Sequence, residues 1–204
     1  MSTHKSTSKF KIYGFWGLLK LLSYYFRTKL FFQSSRLIRF PIEVRGKRYI
    51  DFGKQLTTGI GCRIEGFPLK NNGIIIKFGN NIEINDYVHI AGIMSITIGD
   101  NVLIASKVFI SDIQHGSYSG SFEHDSPHSK PNDRALSAEP IIIEENVWIG
   151  ENVTILKGVT IGKGSIIGAN SVVTKSIPEN TIALGIPARV VKKYNENVNK
   201  WEKV

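Results

Sequence analysis

The sequence predicts an all-β solenoid, a parallel β-helix, and three observations predict it. Ile143, Ile149, Ile155, Ile161, Ile167 and Val173 fall six residues apart without a slip. An α-helix repeats its apolar face about every 3.6 residues and a strand about every 2, so neither gives a strict period of six. A hexad made of one short strand plus a turn does. The same ladder runs earlier through Phe78, Ile84 and Ile90, and after a two-residue insertion around Met94 and Ser95 through Ile98, Ile104 and Ile110. Glycines accompany it: Gly150, Gly162 and Gly168 directly follow an aliphatic residue and Gly158 precedes one, as turns that need an unhindered backbone require.

At 204 residues the chain fits one main domain with appendages. We expect a basic, aromatic N-terminal segment over residues 1–45, the β-helix over 46–182, and a strand/helix tail over 183–204. The ladder stops after Ile110 and restarts at Ile143, which predicts an extruded loop over residues 114–140. Insertions in a solenoid map to loops, and such loops often carry the binding face.

Net charge is +9, and residues 1–42 supply eight of those charges through Lys5, Lys9, Lys11, Lys20, Arg27, Lys29, Arg36 and Arg39, with no acid. The rest of the chain is nearly balanced, which argues against a nucleic-acid partner for the β-helix body. The basic segment is rich in Phe, Tyr and Trp, and residues 14–26 read as one short helix with Leu18, Leu19, Leu21 and Leu22 in its middle. It is too short and too charged to span a bilayer, and no small-residue cleavage site follows it. Three readings stay open: a helix that covers the apolar end of the first coil, peripheral contact with an anionic membrane, and, least favoured, nucleic-acid binding by a basic arm; the first two are compatible.

The lone cysteine, Cys62, lies in a strand-like stretch and reads as a buried structural thiol, consistent with a reducing compartment. Of the five histidines, His4 sits in a polar terminus, His89 precedes Ile90 and should face outward from a coil, and His124 and His128 fall in the middle of the loop with Ser119 and several prolines. His115 stands at the loop's root, where the rigid ladder ends, a common place for a catalytic group.

The run VLIASKVFISD, then His115-Gly116, then VWIGENVTILKGVTIGKGSIIGANSVVTKSIPENTIALGIPARVVKK, resembles the hexapeptide-repeat acetyltransferases. It is most similar to the cell-surface polysaccharide O-acetyltransferases of lipopolysaccharide, colanic acid and capsule synthesis. Residues 98–193 are also similar to galactoside and maltose acetyltransferases. The resemblance implies a left-handed parallel β-helix of triangular section, with Asn80, Asn101, Asn146, Asn152 and Asn170 at its corners. It implies homotrimers with active sites between subunits, acetyl-CoA as acyl donor, and no metal.

By that resemblance His115 is the catalytic base, and Trp148 lies beside the acetyl and acceptor pocket. Ala169, Thr174, Lys175, Arg189 and Lys192 line the CoA groove, where a small residue admits the pantetheine arm and cations suit the phosphates. Asp112 either orients His115, touches the sugar, or is a corner residue that satisfies backbone amides. Tyr118 and Arg134 are candidate acceptor contacts, the first by stacking and the second by pairing with a carboxylate or phosphate. The chain has no asparagine around Ala91, Gly92 and Ile93, where galactoside-type enzymes bind acceptor, so a different acceptor is expected.

The function expected is acetyl transfer to a sugar hydroxyl of a cell-surface glycan or its precursor, by a cytoplasmic enzyme at the inner face of the cytoplasmic membrane. The alternatives are an acetyltransferase of a small free sugar or antibiotic, and a non-catalytic β-helix scaffold or membrane-docking protein. A zinc enzyme on the same fold needs three well-placed ligands, and the histidine spacing does not supply them.

Overall fold

The computed structural model describes residues 9–69, 73–118 and 124–204; His4 and Ser119 lie outside the described residues. The chain opens with α1 (Lys9–Phe31), broken at Gly14, where the backbone turns to φ 62° and ψ −178°. It then winds through six turns of a left-handed parallel β-helix. The first turn is β1 (Leu37–Ile38), β2 (Ile42–Arg45) and β3 (Ile50–Asp51), and the second is β4 (Thr57–Thr58), β5 (Cys62–Gly66) and β6 (Ile76–Phe78). The third is β7 (Glu83–Ile84), β8 (His89–Gly92) and β9 (Ile96–Ile98). The fourth begins with β10 (Leu103–Ile104) and β11 (Phe109–Ser111), leaves the solenoid through the hairpin β12 (Ile113–His115) and β13 (Leu136–Ala138), and closes with β14 (Ile141–Ile143). The fifth is β15 (Trp148–Ile149), β16 (Thr154–Ile155) and β17 (Thr160–Ile161). The sixth starts with β18 (Ile166–Ile167) and β19 (Val172–Val173), and Ile177 bridges to Ile161 in place of a third strand. The strands β20 (Thr181–Leu184), β21 (Arg189–Asn195) and β22 (Lys200–Lys203) finish the chain.

Three parallel sheets make the three faces of the prism. Each hexad ends at a corner, so every third ladder residue returns to the same face. On the first face Ile84, Ile104, Ile149 and Ile167 stack in register, and on the second Ile64, Ile90, Ile110, Ile155 and Val173 do so. On the third, Phe78, Ile98, Ile143 and Ile161 follow. All of these side chains are buried. The strands are short because only the residue facing the axis, and the one at the corner before it, has an interior to fill. The repeat glycines are steric: a Cβ on Gly150 would come within 2.6 Å of the amide nitrogen of Ala169 in the next turn.

The corners need left-handed backbone, which asparagine tolerates. Asn101, Asn146, Asn152 and Asn170 have φ between 56° and 59°. At the earliest corner the expectation was one residue off: Asn81, not Asn80, has φ 56°. Asn80 instead donates through its backbone and side-chain nitrogens to the Asp100 carboxylate, at 2.6 and 3.2 Å, and these bonds hold Asp100 below the usual carboxylate range.

Three further corrections concern the ends. Helical structure covers Lys9–Phe31 rather than 14–26: Gly14 separates two helical pieces, the second beginning where expected and running on to Phe31, the first preceding it. The solenoid begins at Leu37, inside the stretch read as an N-terminal segment, since β1 already pairs in parallel with β4. The tail contains no helix: β20, β21 and β22 form an antiparallel extension of the first face. There Tyr194 meets Trp201 directly across the ladder with ring centroids 5.2 Å apart, a pairing that favours strand over helix.

The helix is anchored to the first turn by Thr28, which is fully buried. Its hydroxyl donates to the Tyr24 carbonyl at 2.7 Å and accepts the Ile38 amide at 2.8 Å. Just past the helix, Phe32 packs edge-on against Phe52 (5.2 Å), which stacks on Phe78 (6.1 Å), so the aromatic run covers the open end of the core.

Candidate active site

The insertions leave the solenoid at one corner, between the second and third faces. They occupy residues 67–75 in the second turn, 93–95 in the third and 112–140 in the fourth. The largest carries His115. Its root is an antiparallel hairpin in which Ile113 pairs with Ala138 and His115 with Leu136. His115 is exposed, and among the described residues its imidazole has no hydrogen-bond partner.

Side chains brace this root. The Gly116 carbonyl accepts from the Ser137 hydroxyl at 2.9 Å and from the Gln114 amide at 3.4 Å, and the Gly116 amide donates to the Ala135 carbonyl at 2.8 Å. Gly116 itself sits at φ 94°, and a Cβ there would lie 2.5 Å from the Tyr118 hydroxyl. The Ser117 amide donates to the Asp125 carboxylate at 2.8 Å. Where the loop rejoins the prism, Glu139 pairs with Lys157. The imidazole is therefore presented by a backbone that its neighbours over-determine, as a reacting group requires.

Asp112 is fully buried, and its two carboxylate oxygens accept the amides of Ile93, Met94 and Ser95 at 2.8–2.9 Å. It is the corner residue that clamps the insertion of the turn below. Of the three roles expected for it the structure shows the corner residue that satisfies backbone amides, and those bonds occupy its carboxylate in place of a sugar or His115. Arg134 is likewise committed within the loop: it donates to the Ser129 hydroxyl at 3.0 Å, the Ser129 carbonyl at 2.8 Å and the Tyr118 hydroxyl at 2.6 Å. Tyr118 and Arg134 are thus brought together, and the Tyr118 ring stays exposed. His124 and His128 are exposed on the same loop.

Trp148 projects from the first face, 49% exposed, in an outer row with Leu103 and Ile166. The corner that bears His115 is the one opposite this face. One chain therefore does not bring His115 and Trp148 together. The proposed CoA residues gather at the last turn. Ala169 is exposed at the corner before β19, and Thr174 and Lys175 are exposed at the corner after it. Between them the segment leading to Arg189 lies along β19, with Val172 donating to the Gly185 carbonyl at 3.0 Å and Ala188 to the Val172 carbonyl at 2.8 Å. Arg189 and Lys192 follow on β21 with exposed side chains.

Two features bear on chemistry elsewhere. Burial pushes the Cys62 thiol up to about 11, and its sulfur points at the Asn85 and Gly59 carbonyls, 3.2 and 3.7 Å away. On the outer second face, Glu65 is buried among Arg45 (3.0 Å), Arg63 (3.0 Å) and His89 (2.8 Å). That network was missed; its signal was the recurrence of charged residues at matching strand positions of β2, β5 and β8. Among the described residues no three of His, Cys, Asp or Glu are placed to hold a metal ion.

Residues 140–175 match the family model described as bacterial transferase hexapeptide (six repeats). The chain is 47% identical over 193 residues to the Escherichia coli K12 protein named "Putative lipopolysaccharide biosynthesis O-acetyl transferase WbbJ", covering 95% of this chain and 96% of that one. It is 36% identical over 156 residues to the galactoside O-acetyltransferase of the same organism, covering 76% of this chain and 72% of the relative. Among solved structures, a maltose O-acetyltransferase from Clostridium difficile 630 superposes with a TM-score of 0.58 at 36% identity, covering 72% of this chain and 70% of the other.

Proposed function

We propose that this chain, which belongs to the hexapeptide-repeat acetyltransferase family, moves the acetyl group of acetyl-CoA directly to a sugar hydroxyl of a cell-surface glycan or its precursor. The observation that carries the reading is His115, an exposed imidazole on a braced hairpin, with no hydrogen-bond partner among the described residues. A sugar hydroxyl is far too weak an acid to ionise at neutral pH, so a base must take its proton as it attacks. Histidine suits that role best.

In the proposed step the acceptor oxygen bonds to the thioester carbonyl carbon while its proton passes to the His115 imidazole. The tetrahedral oxyanion is stabilised by a hydrogen-bond donor. On its collapse the carbon–sulfur bond breaks, His115 returns the proton to the thiolate, and the products are the acetyl ester and free CoA. No acyl-enzyme is invoked. The one thiol, Cys62, is buried and stays protonated at neutral pH, which supports direct transfer.

Ala169, Thr174, Lys175, Arg189 and Lys192 are the proposed CoA contacts. Their exposure at and beyond the last turn suits a groove in which Ala169 admits a flexible arm and the cations Lys175, Arg189 and Lys192 meet phosphates. Trp148 and His115 lie on opposite sides of the prism, so a site that uses both requires two copies of the chain, which supports a homotrimer with sites between subunits. Leu103, Trp148 and Ile166 give the first face an apolar outer row to bury there. Tyr118 offers an exposed ring for stacking on the acceptor. Likeness over nearly the whole chain to WbbJ, a protein named for lipopolysaccharide synthesis, favours a glycan over a small free sugar, and the proposed use of acetyl-CoA supports a cytoplasmic reaction.

The test is free-thiol release from acetyl-CoA with a panel of glycan acceptors, for wild type and His115→Ala. A glycan-dependent rate that falls about 100-fold or more in the variant is expected for a lost general base. Absence of CoA binding and turnover in both proteins overturns the enzyme reading. Equal turnover in both keeps acetyl transfer and removes His115 from it.

A further inference from the structure

The helix α1 is apolar on two opposite sides. Tyr24 and Thr28 are buried against the first turn, with Gly17, Leu18 and Leu21 half-buried on the same side. On the far side Phe15, Leu19, Leu22, Phe26 and Leu30 follow at spacings of four and three residues, one line along the helix. All five are exposed, Phe26 by 64% and Leu30 by 69%, and Trp16 beside them is 80% exposed. A helix that is apolar all round needs cover on every side, and this one has cover on one.

Cations border the exposed line. Lys20 and Arg27 flank one edge and Lys29 the other. Among the described residues none of the three meets a carboxylate; their partners are rings and a carbonyl, with Lys20 5.8 Å from the Tyr24 ring, Arg27 3.7 Å from the Phe40 ring, and Lys29 donating to the Ser35 carbonyl at 2.8 Å. Residues 1–42 contain no acid at all. A second copy docked face to face would set like charges against like with nothing to offset them. An anionic lipid surface offers both complements, acyl chains for the apolar line and phosphate for its cationic borders. No helix among the described residues is long and apolar enough to cross a membrane, so the geometry suits a helix lying in the plane of the interface.

We propose that the outward line of α1 seats this protein on an anionic bilayer. The flank of the prism that carries α1, where Gly17, Lys20 and Leu21 lie beside Arg39, Ile60 and Asp86 of three successive turns, then faces the membrane. This goes beyond the acetyl-transfer reading and does not depend on it.

The experiment is sedimentation of the full-length protein with unilamellar vesicles of phosphatidylcholine, with and without phosphatidylglycerol. Binding to the phosphatidylglycerol vesicles is expected to be about tenfold or more tighter than to pure phosphatidylcholine, and to weaken with salt. Trp16 emission shifts to the blue on binding, and the shift disappears in Trp16→Phe. The double variant Leu19→Asp/Phe26→Asp loses binding about tenfold or more while its thermal melt stays that of wild type, because both side chains are exposed on the outward side of the helix. Wild-type binding indifferent to phosphatidylglycerol overturns the proposal, as does undiminished binding by the double variant. Loss of self-association in the double variant, with no vesicle binding by wild type, assigns the line to another copy of the chain and equally overturns it.

Discussion

The regular turns and the loop that interrupts them face the same demand, that buried backbone N–H and C=O groups find partners, and they meet it by different means. In the turns the partner is the backbone one coil away: the Phe109 amide donates to the Val153 carbonyl and the Thr154 amide to the Ser171 carbonyl, both at 2.9 Å. Any residue of the right size and polarity serves there. In and around the loop the partner is a particular side chain. Asp112 takes three amides from the turn below, Asp125 takes that of Ser117, and Ser137 and Gln114 reach the Gly116 carbonyl. Stability thus rests on replaceable residues repeated many times, and the placement of His115 rests on a few that have no substitute.

That contrast breaks most readily in the ladder. Ile155 is fully buried on the second face between Ile110 and Val173. Ile155→Ala is expected to cost about 2–5 kcal/mol in denaturant unfolding, with kcat/KM of the folded protein unchanged. A fall in kcat/KM without a stability loss of that order means that the turns, and not only the loop, set the site's geometry.

Asp112→Asn is the counterpart. It keeps the shape, but loses the charge and turns one acceptor into a donor aimed at backbone amides. The expected stability cost is about 2–3 kcal/mol, since of three buried charge-assisted bonds one is lost and the other two are weakened. Unlike the ladder variant it also lowers kcat/KM, by about tenfold, because the root of the His115 hairpin shifts. Unaltered kinetics with the same stability loss place Asp112 among the replaceable residues.

The same contrast explains what was legible in the sequence. Periodic apolarity is a one-dimensional signal, so the ladder, the corner asparagines from 101 onward, the extruded loop and the position of His115 at its root were all readable. For Asp112 the sequence left three roles open, the corner residue among them, and did not mark which amides it would take. Its three partners lie 17 to 19 residues back, and only the insertion at 93–95 brings their amides within reach. Glu65 was missed for a similar reason, because its partners come from three turns and only the recurrence of charged residues at matching strand positions joins them. The boundaries at both ends were misplaced where residues suit two structures. Gly14 reads as the start of a lone helix and is the break between two helical pieces, and the alternating run from Arg189 is strand because β20 is beside it to pair with.

Cys62 gives the finest test, because it is a reactive residue type in the replaceable region. It faces the core from β5, and its thiol is pushed up to about 11 by burial. In the unfolded chain the thiol titrates near its ordinary value of about 8.5. Below that pH it is neutral in both states and contributes nothing to the pH dependence of folding. Between the two values the unfolded state releases a proton that the folded state retains, so stability falls as pH rises, by about 1.4 kcal/mol per pH unit. Between pH 7 and pH 10 the wild type should therefore lose roughly 2 kcal/mol more than Cys62→Val, as read from urea unfolding at the two pH values. If Cys62 belongs to the replaceable set, the two proteins are also close in stability at pH 7, since Val fills nearly the same volume without a polar atom. A large loss at pH 7 with no difference in pH dependence would instead make the sulfur's contacts with the Asn85 and Gly59 carbonyls a specific brace of the second and third turns, and the division between replaceable turns and an irreplaceable loop would fail at that corner.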